Sequence, residues 1–299
     1  MDRRRTLLVD AFTDTPLAGN AAGVVPDGDG LTAAQMQAIA AELAVSETAF
    51  ILESDRADRR VRYFTPTMEV DLCGHATIAS HAHLFTDGAI GDGTHTLETP
   101  VGVIDIDVTG DGVVWMTQDT PRVETVDVDV DRVATALDLP TGAISQVELP
   151  AAIASTGMTF LVVPVTFLEP LGAADPDPDA VAALAEAYDA AGVYAFTFDT
   201  VAADSTLHGR CFVPGLGIPE DPVTGTASGA VAAYLRTVDA FDSLPEQLQF
   251  EQGHFMDRPG HVLVRAHDTI QVGGRATTSL DGDLRVPPDA DDEILTPEG

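Results

Sequence analysis

The chain has 299 residues, 45% of them hydrophobic, and 48 acidic against 15 basic side chains give it a formal charge of −33. That apolar fraction supports two domains with real cores and excludes a disordered acidic chain, while the charge argues against nucleic acid and anionic membrane surfaces as partners. All 15 basic residues are arginine, so with no lysine amine neither pyridoxal-phosphate chemistry nor Schiff-base catalysis is open to it.

High acidity without lysine, many alanines and few aromatics in an otherwise globular pattern point to a protein that works in concentrated salt, where self-repulsion is screened. Cys73 and Cys211 are the only cysteines and make no disulfide framework. At the amino terminus MDRRR is followed by Leu7-Leu8-Val9 and then Asp10, too short an apolar run for a secretory signal. No longer run offers a membrane span, and a cytoplasmic location is expected.

In chain order, residues 6–12 read as a strand and Thr13 to Asn20, with Pro16 and Gly19, as the loop after it. Thr32 caps a helix, with Gln35 completing a capping box and Leu31 stapled against Met36. Met36, Ile39, Ala40 and Leu43 form its buried stripe. The helix ends near Val45, and Ser46-Glu47-Thr48 leads into a strand from Ala49 to Leu52. A strand at 61–64 precedes a glycine-opened helix, and strands follow at 95–98, 101–108 and 113–116. The alternation of Ile104, Ile106 and Val108 with Asp105 and Asp107 marks a half-buried strand. Gln118 to Asp129 is the crossing into a second half. There Val130, Val133, Ala134 and Leu137 mark a helix, Met158 to Val163 a strand, and Asp177-Pro178 starts another helix. Strands near 248–251, 261–265 and 269–273 come last, before an acidic, poorly ordered tail from Pro287-Pro288 through Asp289 to Glu293.

One stretch occurs twice. EVDLCGHATIASHAHL at 69–84 meets EDPVTGTASGAVAAYL at 220–235, with six of sixteen positions identical, among them Glu69/Glu220 and Gly74/Gly225. Just upstream, Arg62-Tyr63-Phe64-Thr65-Pro66 meets Arg210-Cys211-Phe212-Val213-Pro214. A period near half the chain means a duplicated domain rather than an array. The expected halves are 1–120 and 121–299, with the carboxyl-terminal tail free to return to the first, and the duplication predicts a cleft between them. Each copy opens a helix at a glycine, and the uncapped amides after Gly74 and Gly225 carry the positive end of the helix dipole, suited to an anion. The alternative is a pair of buried alanine-rich core helices.

Three polar positions break the internal symmetry: Glu47 against Val193, His75 against Thr226, and Asp221 against Val70. A carboxylate where the sister copy has valine is desolvated, with its pKa raised toward the range of proton transfer. A solvated loop glutamate is the alternative, and the residues alone do not choose. Metal catalysis is not expected, because His81 and His83 point apart on a helix, Asp71 and His75 straddle a helix start, and no Cys/His cluster has zinc spacing. A two-base racemase needs a pair of groups, but the position opposite Cys73 is Thr224. Cys73 therefore reads as a small buried filler.

VDAFTDTPLAGNAAGVV at the amino terminus, SETAF at 46–50, CGHAT at 73–77, EDPVTG at 220–225 and Gln252-Gly253 together resemble the PhzF-like phenazine-biosynthesis family, of the diaminopimelate epimerase-like fold. The resemblance runs from residue 9 to about 265. It implies an α+β fold of two similar domains, each a curved, mostly antiparallel sheet around a central helix. It implies a cofactor-independent isomerase acting on a small carboxylate such as trans-2,3-dihydro-3-hydroxyanthranilate. Glu47 would carry the proton, with His75 and Asp221 as further catalytic residues, and Asn20, Gly74, Gly225, Thr226, Gln252 and Gly253 would line the substrate. Thr226 stands where the family has serine, and Asn20-Ala21 where it has Asn-Pro. No metal or cofactor is expected, and the partners are a small-molecule carboxylate and a second copy of the chain in a homodimer. An epimerase or racemase on the same fold, or a non-catalytic small-acid binding protein, are the other readings.

Overall fold

The computed structural model describes residues 2–288, and the chain divides into two units. One comprises Met1–Leu17, Ala21–Val114 and the chain from Arg275 on, the other Ala18–Asn20 and Trp115–Gly274. The expected acidic tail, Asp289 to Glu293, lies outside the described residues. No helix among those described is long and apolar enough to cross a membrane.

The first unit contains strand β1 (Arg3–Ala11), β2 (Asn20–Val25), helix α1 (Ala33–Leu43), β3 (Glu47–Leu52), β4 (Arg59–Phe64), β5 (Glu69–Val70), helix α2 (Gly74–Thr86), β6 (Gly93–Thr99) and β7 (Gly102–Val108). α1 starts as its sequence dictates. The Thr32 hydroxyl accepts from the Gln35 amide while the Gln35 side chain accepts from the Thr32 amide, a closed capping box. Met36, Ile39 and Ala40 then pack with Leu31, Val25, Phe50 and Phe64 in one apolar cluster. α2 is buried along its length from Ala76 to Leu84 and packs against β1, β3 and β7. Such a helix is a core element rather than an amphipathic surface one, and its small residues let the sheet close around it.

The second unit contains β8 (Val114–Thr117), β9 (Arg122–Thr125), α3 (Val130–Leu137), α4 (Thr141–Ser145), β10 (Ala152–Ser155), β11 (Thr159–Pro164), α5 (Leu168–Ala173), α6 (Pro178–Glu186), β12 (Gly192–Thr197), β13 (Leu207–Val213), β14 (Ile218–Asp221), α7 (Gly225–Thr237), β15 (Leu248–Gln252), β16 (Gly260–Arg265) and β17 (Gln271–Gly274). Asp129 and Asp177 cap α3 and α6. The duplication seen in sequence is a duplication of topology. The parallel pairs β2–β3 and β4–β6 recur as β11–β12 and β13–β15, and the antiparallel pairs β3–β4, β4–β5 and β6–β7 recur as β12–β13, β13–β14 and β15–β16. α7 is buried from Ala227 to Leu235 and packs against β9, β10, β11, β16 and β17. Gly229 permits this approach, because a Cβ there would sit 3.0 Å from Thr156 Oγ1 and 3.1 Å from Val272. Each unit is therefore a curved, mostly antiparallel sheet around a central helix, an α+β unit built twice.

The last strand, β18 (Ala276–Arg285), belongs to the first unit and runs antiparallel to β1 from Arg3↔Arg285 to Ala11↔Ala276. α2 packs against it as well. Neither β18 nor β2 is expected from the sequence. β18 is mostly exposed and has no apolar alternation, and β2 is a short run of small residues, so both exist through their partners rather than through their own pattern.

Candidate active site

In the first unit, Glu47 is the first residue of β3, just after α1 ends, and pairs with Ala22 of β2. His75 is the second residue of α2. The two side chains meet, with His75 Nε2 3.4 Å from Glu47 Oε2 and 3.3 Å from Ser46 Oγ. On the other edge of the ring, Nδ1 lies 3.4 Å from Cys73 Sγ. The His75 and Glu47 side chains are 12% and 22% exposed, shielded enough to strengthen their interaction yet open to a solute. An imidazole held on both nitrogens can take either tautomer, so a proton gained by the carboxyl group has a neighbour to share it with.

The turn that carries these groups is fixed from below. Thr77 Oγ1 donates to Cys73 O (2.7 Å) and meets Tyr63 Oη at 2.6 Å, and burial raises the Tyr63 phenol, keeping it a neutral hydrogen-bonding group. No side chain caps α2, since the Cys73 thiol at its N-cap is turned to the His75 ring and not to the backbone amides of the first turn. Gly74 thus begins a helix without a side-chain cap, immediately beside His75.

In the second unit, Asp221 ends β14. Asn20 Nδ2 donates to Asp221 Oδ1 and to Val223 O, both at 2.9 Å, and Thr224 Oγ1 donates to Asp221 Oδ2. Because the Thr224 hydroxyl is turned to Asp221, it does not cap α7, which also starts without a side-chain cap at Gly225. Gln252, at the end of β15, donates to Asp221 O (2.7 Å) and Thr224 Oγ1 (3.2 Å) and accepts from the Thr224 amide (3.2 Å). Gly253 follows with φ +83°, and a Cβ there would lie 2.3 Å from Arg258 O and 2.7 Å from Pro222 O, so only glycine fits. Arg258, from the same turn, donates to Ala18 O and Gly19 O and so carries the segment that presents Asn20. Asn20, Asp221, Thr224 and Gln252 thereby form one network at the start of α7. Thr226 is the second residue of that helix, and Thr156 Oγ1 donates to its carbonyl. A cavity of about 740 Å³ lined by Asp119, Arg122, Glu124, Ser155 and Gly157 abuts it, since a Cβ on Gly157 would come 4.0 Å from Thr226 Cγ2.

Of the residues expected from sequence, the structure brings Glu47 to His75 beside Gly74, and Asp221 to Asn20 and Gln252 beside Gly225. Three participants were not anticipated. Ser46 and Cys73 flank His75, and Thr224 holds Asp221, although the sequence offers Thr224 only as the counterpart of Cys73. The signal available was position alone, one residue before Glu47 or at a helix N-cap. Cys73 is buried, as a small filler would be, but it also touches the imidazole. Cys211 is fully buried, and desolvation, then the neighbouring Asp221 charge, push its thiol well up, so it is chemically quiet. Among the described residues, two groups have the atoms to hold a metal ion, Glu47 with Cys73 and His75, and His208 with Glu251 and His254.

The chain as a whole is similar to known proteins. Residues 9–282 match the family model PhzC-PhzF, described as phenazine biosynthesis-like protein. The chain is 37% identical over 289 residues to Uncharacterized isomerase YfhB of Bacillus subtilis, covering 94% of this chain and 96% of that one. It is 30% identical to trans-2,3-dihydro-3-hydroxyanthranilate isomerase of Pseudomonas chlororaphis, over 91% and 96% of the two chains. Among solved structures, a PhzF-family phenazine biosynthesis protein of Bacillus anthracis matches with a TM-score of 0.88 at 32% identity, covering 96% of this chain and all of that one. A hydroxyproline epimerase from Agrobacterium vitis, 16% identical with a TM-score of 0.58 and covering 95% of this chain and 91% of its own, shares the fold. With the same duplicated fold, and with similarity running from the first strand to the last, this chain is an isomerase of the phenazine biosynthesis-like PhzC-PhzF family.

Proposed function

We propose that the enzyme moves a proton between two carbons of a small cyclic amino acid or carboxylate, of which trans-2,3-dihydro-3-hydroxyanthranilate is the first to test, with Glu47 as the group that takes and returns it. The observation that carries this reading is the half-buried pair of Glu47 and His75 at 3.4 Å, beside a helix start with no side-chain cap. A carboxylate accepts the proton as the C–H bond breaks. The electron pair left behind shifts through the adjacent double bond, and the same carboxyl group delivers the proton to a second carbon, so no redox partner is required. His75 would steady the carboxyl group in both protonation states. The resemblance implies that Asp221 would hold a cationic or hydroxyl group of the substrate, with Asn20, Thr224 and Gln252 fixing its orientation, and each uncapped helix start, at Gly74 and at Gly225, by itself suits an anion. Thr226 has a methyl group where the resembled family has a hydroxyl alone, which favours a substrate of slightly different outline.

The contact of Cys73 with His75 favours a second reading, thiol-based epimerisation. Against it, the position opposite Cys73 is Thr224, whose hydroxyl is committed to Asp221. The test is steady-state turnover of dihydrohydroxyanthranilate by the wild type and Glu47→Gln. Glu47→Gln should bind with unchanged affinity and lose about 10²–10⁴-fold in kcat. Loss of binding with kcat retained would make Glu47 a substrate anchor instead.

A further inference from the structure

A second cluster of ionisable groups lies within the second unit and has no part in the proton shift. In the strand register His208 of β13 is opposite Glu251 of β15, which is opposite His261 of β16, so the three form a row across adjacent strands. His254 sits on the short helical turn that follows Gly253, its ring centre 5.1 Å from that of His208 and 6.5 Å from that of His261. Glu251 is wholly buried, and its carboxylate accepts from the Val201 amide (2.6 Å), the Ala202 amide (3.0 Å) and His208 Nδ1 (2.8 Å). A carboxylate so held fixes His208 as the Nδ1–H tautomer and leaves the lone pair on Nε2.

That Nε2 is buried without a hydrogen-bond partner, and so is Nδ1 of His254. His208 is itself 0% exposed, a position where an unpartnered polar atom is costly. Ligand atoms from His208, Glu251 and His254 all lie within 4.8 Å of one another. A carboxylate orienting one imidazole, with a second imidazole beside it, is the donor set that borderline-soft divalent ions take, whereas magnesium and calcium prefer oxygen.

We propose that His208 and His254, with Glu251 orienting His208, form a binding site for a divalent transition-metal ion such as zinc. Successive residues of β15 face opposite ways, so the strand that turns Glu251 to this cluster turns Gln252 to Thr224 and Asp221. The ion would pin the end of β15 and the turn through Gly253, holding Gln252 in register while taking no part in the chemistry.

The experiment titrates zinc chloride into the full-length protein in molar potassium chloride with excess magnesium, which occupies the surface carboxylates, and repeats it with cobalt(II) for its visible spectrum. The expected result is one tightly held zinc per chain that raises the melting temperature, a cobalt adduct without a thiolate charge-transfer band, and loss of both in His254→Ala. His254 is only partly buried, and circular dichroism checks that the variant folds. A second arm needs no variant, since bound zinc should slow acylation of His254 by diethylpyrocarbonate, read by peptide mass spectrometry. No zinc beyond that held by His254→Ala, a cobalt–thiolate band that puts the ion at Cys73, or undiminished acylation of His254 would each overturn the site.

Discussion

Both units carry the same arginine–glutamate fork, and the two copies should differ sharply in how much they stabilise. Arg62 Nε and Nη2 each meet an oxygen of Glu69 at 2.7 Å, and Arg210 Nε and Nη2 meet Glu220 at 2.9 and 2.7 Å. The first pair is 20% and 37% exposed, the second 8% and 13%. Arg210 also donates from Nη1 to Leu171 O (2.9 Å) and Ala174 O (2.8 Å), and its guanidinium carbon lies 4.9 Å from the ring centre of Phe212 and 5.6 Å from that of Phe255. Arg62→Ala removes a solvent-screened pair and should cost about 1 kcal/mol or less. Arg210→Ala strands a buried carboxylate and two carbonyls and should cost about 3–5 kcal/mol. Arg210→Met with Glu220→Leu should recover only the carboxylate's share, because the two carbonyls stay unpaired. The assay is urea unfolding in molar potassium chloride, followed by circular dichroism for both units and by the single tryptophan, Trp115, for the second. Equal losses for Arg62→Ala and Arg210→Ala would refute the reasoning that the burial of the second fork and its two extra carbonyl bonds set the difference.

The charge of −33 predicts that melting temperature rises from low to molar potassium chloride, and a melt unchanged or higher in low salt would contradict this. His81 is 2% exposed, and desolvation lowers its pKa to about 4. The unfolded chain binds the proton first, so stability is complete above about pH 6.5 and falls by up to about 3 kcal/mol as pH drops toward 4. His81→Gln should flatten that part of the stability–pH curve, and an unchanged slope would assign it elsewhere. Cys73→Ala should retain most of the isomerase turnover, since the proton carrier in this account is a carboxyl group. Abolished turnover with substrate binding intact would favour thiol chemistry.

What could be read from the sequence follows from the range of the interactions involved. The capping box of Thr32 and Gln35 is local and is found as written. The paired Arg62/Arg210 and Glu69/Glu220 were visible as a repeat, although their being bonded to each other was not. Glu47, His75 and Asp221 stood out because each breaks the internal symmetry, and a resemblance of ordered motifs supplied their roles. Ser46 and Thr224 carried no such mark, since a hydroxyl before a strand or at a helix start is ordinary. The row of His208, Glu251 and His261 depends on a parallel pairing between strands about forty residues apart, whose register no local pattern encodes. β18 was invisible for a related reason, as its residues are held by β1 and not by burial.

The most direct test of the central claim is hydrogen exchange at carbon. In heavy water the wild type, supplied with dihydrohydroxyanthranilate, should place solvent deuterium on the carbon that receives the proton, because a carboxyl group exchanges with solvent between accepting and delivering it. Glu47→Gln, folded by circular dichroism and still binding the substrate, should incorporate about 10²–10⁴-fold more slowly. Incorporation at the wild-type rate in that variant would mean that another residue is the base, and the role given to Glu47 would be wrong.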